Sequence, residues 1–260
     1  MFFFRIAPKA PSCLIPMDIA FLLDSSSNAG QYGYEAQKDF VKLFSRNLAM
    51  SVAGSRVGVV SYGGQADVDV AFQVHSNPED LQATIDTLQF KGGASRIDKA
   101  LDLALEGLST SNSGARRGIP KVAVLFTDLV TDITEYNTLR KAVVPYKAEG
   151  VEVIAVGIGP RADLQELRVL VGSEEYVLGV ETFKRLGDLA GNLTLLACKA
   201  AGKYTKLFAP KVRVVLHRWA CENFINYQLE VEKDKLTQIS FLLRCFFEVS
   251  ALRESNMGYS

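Results

Sequence analysis

The strongest constraint on this chain is an alternation. From residue 17 to residue 198, short apolar runs of strand length take turns with longer segments of helical periodicity. Met17–Asp24, Arg56–Tyr62, Lys121–Thr127 and Glu152–Ile158 read as buried strands, and Tyr176–Leu178 as a short one. Asp67–Phe72 alternates D-V-D-V-A-F and reads as a half-exposed strand, joined to the strand before it by a short hairpin link. Helices are predicted over Tyr32–Met50, Pro78–Leu88 with Asn77 as N-cap, Ser95–Leu108, Tyr136–Glu149, Asp163–Val171 and Thr182–Cys198. Each parallel crossover must carry the chain over a sheet face, so this order specifies helices on both faces. The expected fold is α/β and doubly wound. It has a mostly parallel six-stranded sheet with one antiparallel edge strand.

In such sheets ligands gather beyond the carboxyl ends of the strands, where strand order reverses. Asp24 and Asp128 both lie at carboxyl ends of apolar strands. If those strands are neighbours, both carboxylates face one crevice. Asp24 opens the cluster D-S-S-S-N, which offers oxygen atoms at Asp24, Ser26 and Asn28, and Ser95 follows the glycines Gly92 and Gly93. Two carboxylates and hydroxyls from three loops suit a hard divalent cation such as magnesium. The same residues also suit a plain cap of the sheet top, with Asp24 and the serines bonded to loop amides.

Composition removes other classes. Lys+Arg and Asp+Glu each total 29, so no excess of cations is available to replace phosphate counterions, and a nucleic-acid partner is not expected. No apolar run reaches the eighteen or so residues of a membrane span. The opening M-F-F-F-R-I-A-P-K-A-P has no charged segment ahead of its apolar patch and is a poor signal peptide. The cysteines Cys13, Cys198, Cys221 and Cys245 are not at metal-ligand spacing, and there are two histidines, His75 and His217, so a zinc site or a Cys/His catalytic pair is not expected. Gly157-Ile158-Gly159 lacks the third glycine of a dinucleotide loop, and no G-x-S-x-G is present. Neither a phosphate loop nor a nucleophile motif therefore points to an enzyme. Asn192-Leu193-Thr194 is a glycosylation sequon on the predicted last helix. Residues 1–12 read as an N-terminal extension, 13–200 as the domain, and 201–260 as an extension without a motif.

The residues that carry chemistry also carry a resemblance. C-L-I-P-M-D-I-A-F-L-L-D, V-S-Y-G-G-Q-A-D-V-D-V, G-G-A-S-R-I-D-K-A-L, K-V-A-V-L-F-T-D and G-I-G resemble the von Willebrand factor A domain family over about residues 11–200. Within it they are most similar to a collagen-binding member, the third A domain of the protein that gives the family its name. The resemblance implies a metal-ion-dependent adhesion site at Asp24, Ser26, Asn28, Ser95 and Asp128. Asn28 replaces the second Ser of the motif, Ser95 replaces Thr, and Leu129 stands where metal-binding members carry Gly. It implies a Cys13–Cys198 disulfide. It implies fibrillar collagen, types I and III, as partner along the edge strand, with Asp69 and Val70 matching that surface. Gln65, Ala71, Thr110 and Ser113 are substituted positions of the same surface. No cofactor is required on this reading, and magnesium would sit at a degenerate site. The implied setting is a secreted module of a larger, multimeric protein that tethers platelets to the vessel wall. The alternatives are a magnesium-dependent A domain that binds an acidic protein ligand, and a structural matrix A domain.

Overall fold

The computed structural model describes residues 12–110, 114–128 and 133–207. Along the chain run β1 (Asp18–Asp24), α1 (Gly30–Ser45), β2 (Arg56–Tyr62), β3 (Ala66–Val70), α2 (Pro78–Thr87) and α3 (Ile97–Ser109). After them come β4 (Lys121–Thr127), α4 (Ile133–Ala148), β5 (Val151–Ile158), α5 (Leu164–Val171) and β6 (Val177–Val180). A 3₁₀ segment (Phe183–Leu189) then leads into α6 (Ala190–Leu207). The strands form one sheet in the order β3-β2-β1-β4-β5-β6. All neighbours are parallel except β2 and β3. The doubly wound α/β fold with its antiparallel edge strand is thus observed.

The sheet is apolar on both faces because both are covered. Ile19, Phe21 and Leu23 of β1 pack with Phe40, Val41 and Phe44 of α1, Leu81 and Ile85 of α2, and Leu193 and Ala197 of α6. Ala20 and Leu22 point the other way, toward Ala100, Leu101 and Ala104 of α3, Leu139 and Val143 of α4, and Leu167 and Leu170 of α5. Phe21, Phe40, Phe44 and Phe126 form a ring cluster on the first face, with edge-to-face contacts of 5.2 Å (Phe21–Phe44) and 5.4 Å (Phe40–Phe126).

Two helices end elsewhere than their periodicity suggests. The apolar spacing of Phe40, Phe44 and Leu48 predicts a helix to Met50, but α1 stops at Ser45. Leu48 is buried by pairing with Cys13, and Met50 bridges Ser55. Tertiary docking of the N-terminal segment, not a further helical turn, satisfies these apolar residues. The final predicted helix divides instead into the 3₁₀ segment and α6, and α6 runs past position 200 to Leu207. Asn77 caps α2 as expected, accepting a hydrogen bond from the Asp80 amide at 2.8 Å. Among the described residues, no helix is long and apolar enough to cross a membrane.

Cys13 and Cys198 form a disulfide with Cα atoms 5.5 Å apart, closing a span of 185 residues. It ties the segment before β1 to α6. Loop-closure entropy gives an upper value of about 5 kcal/mol for so long a span. Cys221 and Cys245 lie outside the described residues. Replacing Cys13 and Cys198 together by alanine should lower the unfolding free energy by about 2–5 kcal/mol in urea titrations. The parent protein should lose the same amount on adding reductant, and the double variant should not respond to reductant. An unchanged midpoint in the variant would refute this role for the bridge.

Candidate functional site

β1 and β4 are direct neighbours, in register from Asp18–Lys121 to Leu22–Leu125. They lie where the strand order reverses, since β2 and β3 continue on one side and β5 and β6 on the other. Asp24 ends β1 and Asp128 directly follows β4, so the two carboxylates meet above one seam, as the sequence predicts. Both are buried.

The surrounding loops are sewn together by backbone bonds. The Ser27 amide donates to Gly93 O (2.9 Å), and the Gly92 amide donates to Ser25 O (2.8 Å). Ser25 Oγ accepts from the Lys91 amide and Ser27 Oγ from the Gly93 amide, both at 2.8 Å. Gly63 and Gly64, on the turn after β2, press into the same knot. A Cβ at Gly63 would lie 2.3 Å from the Gly92 carbonyl oxygen and 2.8 Å from that of Ser25. Only glycine allows this approach, which brings the Ser95 loop up to the Asp24 loop. Ser25 and Ser27 are thus committed to loop bonds, in keeping with a cap of the sheet top. Ser26 donates its amide to Asp24 Oδ1 (2.8 Å), and Asn28 stands exposed on the following turn.

Three oxygen atoms at the crevice are not committed. Asp24 Oδ2, Asp128 Oδ1 and Ser95 Oγ are buried and have no hydrogen-bond partner among the described residues. Such orphaned acceptors are rare in folded proteins. Two carboxylate oxygens and a hydroxyl form a hard donor set of the kind magnesium or manganese takes. Among the described residues no cluster of three or more His, Cys, Asp or Glu forms. A cation here would therefore draw on hydroxyl and amide oxygens as well as the two carboxylates. The residues fit a divalent cation, with Asp24, Ser26, Ser95 and Asp128 as donors. Leu129 lies outside the described residues.

The opposite end of β1 shows what a satisfied buried carboxylate looks like. Asp18 accepts from the Arg116 guanidinium at 2.6 and 3.0 Å and from the Arg116 amide at 2.7 Å. Among the described residues no cation pairs with Asp24. Burial raises its carboxyl pKa to about 6; the Ser26 hydrogen bonds act against the shift and the Asp128 charge adds to it. Asp128 does have a cation: Arg161, from the loop between β5 and α5, donates Nη2 to Asp128 Oδ2 at 2.7 Å. The sequence reading missed Arg161, whose contact spans 33 positions and leaves no local pattern.

The predicted edge-strand set lies apart from this crevice. Gln65 and Thr110 are exposed, Ala71 is half-buried, and Ser113 lies outside the described residues. Lys91 bridges Asp67 (3.0 Å) and Asp69 (3.3 Å), so Asp69 is paired and largely covered while Asp67 is open. The pairing of β2 with β3 slips between Val59 and Val60, which face Val70 and Val68 and leave Asp69 as an extra residue. The bulge breaks the alternation of D-V-D-V. Val70 is buried, whereas Val68 is 49% exposed. Beside β3 an open groove of about 370 Å³ runs along α3, lined by Val68, Ala71, Phe72, Leu103, Gly107 and Thr110 among others. The sequon residue Asn192 is exposed on α6, but Thr194 is buried and donates its hydroxyl to Ala190 O at 2.7 Å.

Fold, reversal seam and donor set together define an A-type binding domain. The model of the von Willebrand factor type A domain matches residues 18–192, and the chain belongs to that family. Mouse matrilin-2 is 28% identical over 192 residues, a match that covers 71% of this chain and 19% of the relative. Cuticlin-6 of Caenorhabditis elegans is 29% identical over 187 residues, covering 70% of this chain and 31% of the relative. The chain thus spans less than a third of the length of these curated relatives. Among solved structures, proximal thread matrix protein 1 from the mussel byssus, with a zinc-occupied MIDAS motif, superposes with a TM-score of 0.64 at 28% identity. That match covers 73% of this chain and 50% of the other.

The raised Asp24 pKa gives a signed prediction for the metal-free protein. The folded carboxyl holds its proton more tightly than the unfolded one, whose pKa is near 3.9. Its favourable contribution is present at low pH and is lost as pH rises from about 4 through about 6. In EDTA at pH 7, Asp24→Asn should raise the unfolding free energy by roughly 2–3 kcal/mol, and at pH 4 the gain should vanish. Equal stability of variant and parent at pH 7 would show that the carboxylate is not penalised by burial.

Proposed function

We propose that this A domain is a non-catalytic adhesion module of extracellular matrix, and that its partner is fibrillar collagen, types I and III first, held along the β3–α3 face. The groove beside the edge strand carries this reading. A triple helix presents proline and hydroxyproline rings along a rod, and an open apolar channel beside an edge strand suits such a rod better than a closed pocket would. Val68 supplies the exposed apolar contact, flanked by Gln65, Ala71 and Thr110. Val70 acts from beneath by holding the strand. Asp67 and Asp69, both bridged by Lys91, form an acidic margin for the basic side chains of collagen. The likeness of the quoted stretches to the third A domain of von Willebrand factor supports the same reading. With it comes the proposed setting, tethering at the vessel wall and of platelets.

The Cys13–Cys198 bridge suits an oxidising, extracellular compartment. The far greater length of the relatives supports a place in a larger multidomain protein, with 13–200 as the binding unit. Recognition of this kind requires no bond-making step, so no enzymatic activity is proposed.

A second reading rests on a different observation, the three uncommitted oxygens at the crevice. On it, a divalent cation held by Asp24, Ser26, Ser95 and Asp128 leaves a coordination position for a carboxylate of an acidic partner. The zinc-occupied motif of proximal thread matrix protein 1 supports this reading.

Solid-phase binding to collagens I and III separates the two. The disulfide-intact domain should bind both collagens equally well in magnesium and in EDTA. Val68→Asp and Asp69→Ala should each weaken binding about ten-fold or more, and Asp24→Asn should leave it unchanged. Absence of binding in either buffer would end the collagen reading. Loss with EDTA and with Asp24→Asn, but not with Val68→Asp, would move the site to the crevice.

A further inference from the structure

We propose that Arg161 is a built-in counter-ion of the crevice, which lowers its affinity for divalent cations by holding one carboxylate of the donor set. The inference rests on the metal reading of the crevice and is independent of the collagen groove.

Both ends of β1 bury a carboxylate, and an arginine answers each end differently. Arg116 grips Asp18 itself through its guanidinium Nε and Nη2 and its backbone amide, and its side chain is mostly covered. At the other end Arg161 makes a single contact, to Asp128 Oδ2, and its side chain is 58% exposed. Among the described residues, Asp128 Oδ1, Asp24 Oδ2 and Ser95 Oγ have no hydrogen-bond partner. Arg116 therefore completes its site, whereas Arg161 only half-neutralises the crevice and satisfies none of these three acceptors. A fixed charge of +1 on a ligand carboxylate opposes an incoming +2 ion through direct repulsion. It also competes for the lone pairs of the oxygen it holds.

The position of Arg161 makes it displaceable. It sits in the loop Gly159-Pro160-Arg161-Ala162, before the Asp163 cap that starts α5. Its exposed stem can swing outward without disturbing the core. Asp128 is buried but the Arg161 side chain is exposed to solvent ions, so its hold on the site should depend on ionic strength.

Manganese titration by calorimetry, with the manganese-induced rise in melting temperature as a second readout, tests the proposal on the full chain. Arg161→Gln keeps length and hydrogen-bonding ability but removes the charge. It should bind manganese about ten-fold more tightly than the parent at low salt and show a larger thermal shift. The gap should shrink as sodium chloride is raised. Arg161→Lys keeps the charge and should behave like the parent. Asp128→Asn added to Arg161→Gln should abolish the gain. Equal affinity in parent and Arg161→Gln would overturn the counter-ion role while leaving the metal site standing. Tighter binding by Arg161→Lys as well would assign the effect to shape and overturn the role of charge. If neither parent nor Arg161→Gln bound manganese, the proposal and the metal reading would both fall. The melting temperature of each variant in EDTA shows that it is folded.

Discussion

Everything in this domain hangs on the complete burial of β1, a strand with aspartate at each end. Its seven residues are all enclosed, flanked by β2 and β4 and covered by α1, α3 and α6. The apolar residues between the aspartates drive that burial. The carboxylates at the ends are carried in with them, and each must then be answered. At the lower end Arg116 and its own amide answer Asp18 fully. At the upper end hydrogen bonds from the neighbouring loop answer Asp24 only in part. The chemical character of the crevice is this incomplete answer, placed where the strand order turns.

Two surfaces therefore compete for the functional role, and they differ in physical kind. The crevice is small, polar and short of partners. The β3–α3 groove is open and apolar, with a paired acidic margin at Lys91, Asp67 and Asp69. The crevice suits a point charge and the groove suits a rod. At Gly63, Gly64, Gly92 and Gly93 the loops cross with their backbones in close approach, where a side chain at Gly63 or Gly93 would clash. Lys91 belongs to both neighbourhoods: its amide caps Ser25 and its ammonium holds the acidic pair of the edge strand.

Most of the architecture was legible because it is written in local periodicity. Lys121–Thr127 and Arg56–Tyr62 are apolar runs with abrupt polar ends, and the strands lie where those runs lie. Asn77 is a good cap by chemistry alone and acts as one, while Asp163, read as the first residue of its helix, caps α5. The misses occur where a long-range contact overrides a local pattern. Leu48 continues a helical stripe but is spent on a bridge to Cys13. The repeat D-V-D-V promises that Val68 and Val70 share a face, and the bulge at Asp69 separates them. The resemblance pointed to Asp69 on that strand, but Lys91 pairs with both Asp67 and Asp69, and of the two Asp69 is the one largely covered.

By itself, the sequence determined the class of fold, the strand ends at which the two carboxylates stand, and the oxygen-bearing loop that follows the first of them. These depend on hydrophobic periodicity and on the chemistry of neighbouring residues, both local properties of a chain. Only the tertiary structure decided which of those oxygens remain unbonded, that Arg161 reaches back to Asp128, and which valine of the edge strand faces outward. These depend on distances between residues far apart in the chain, and those distances exist only once burial has brought the loops together.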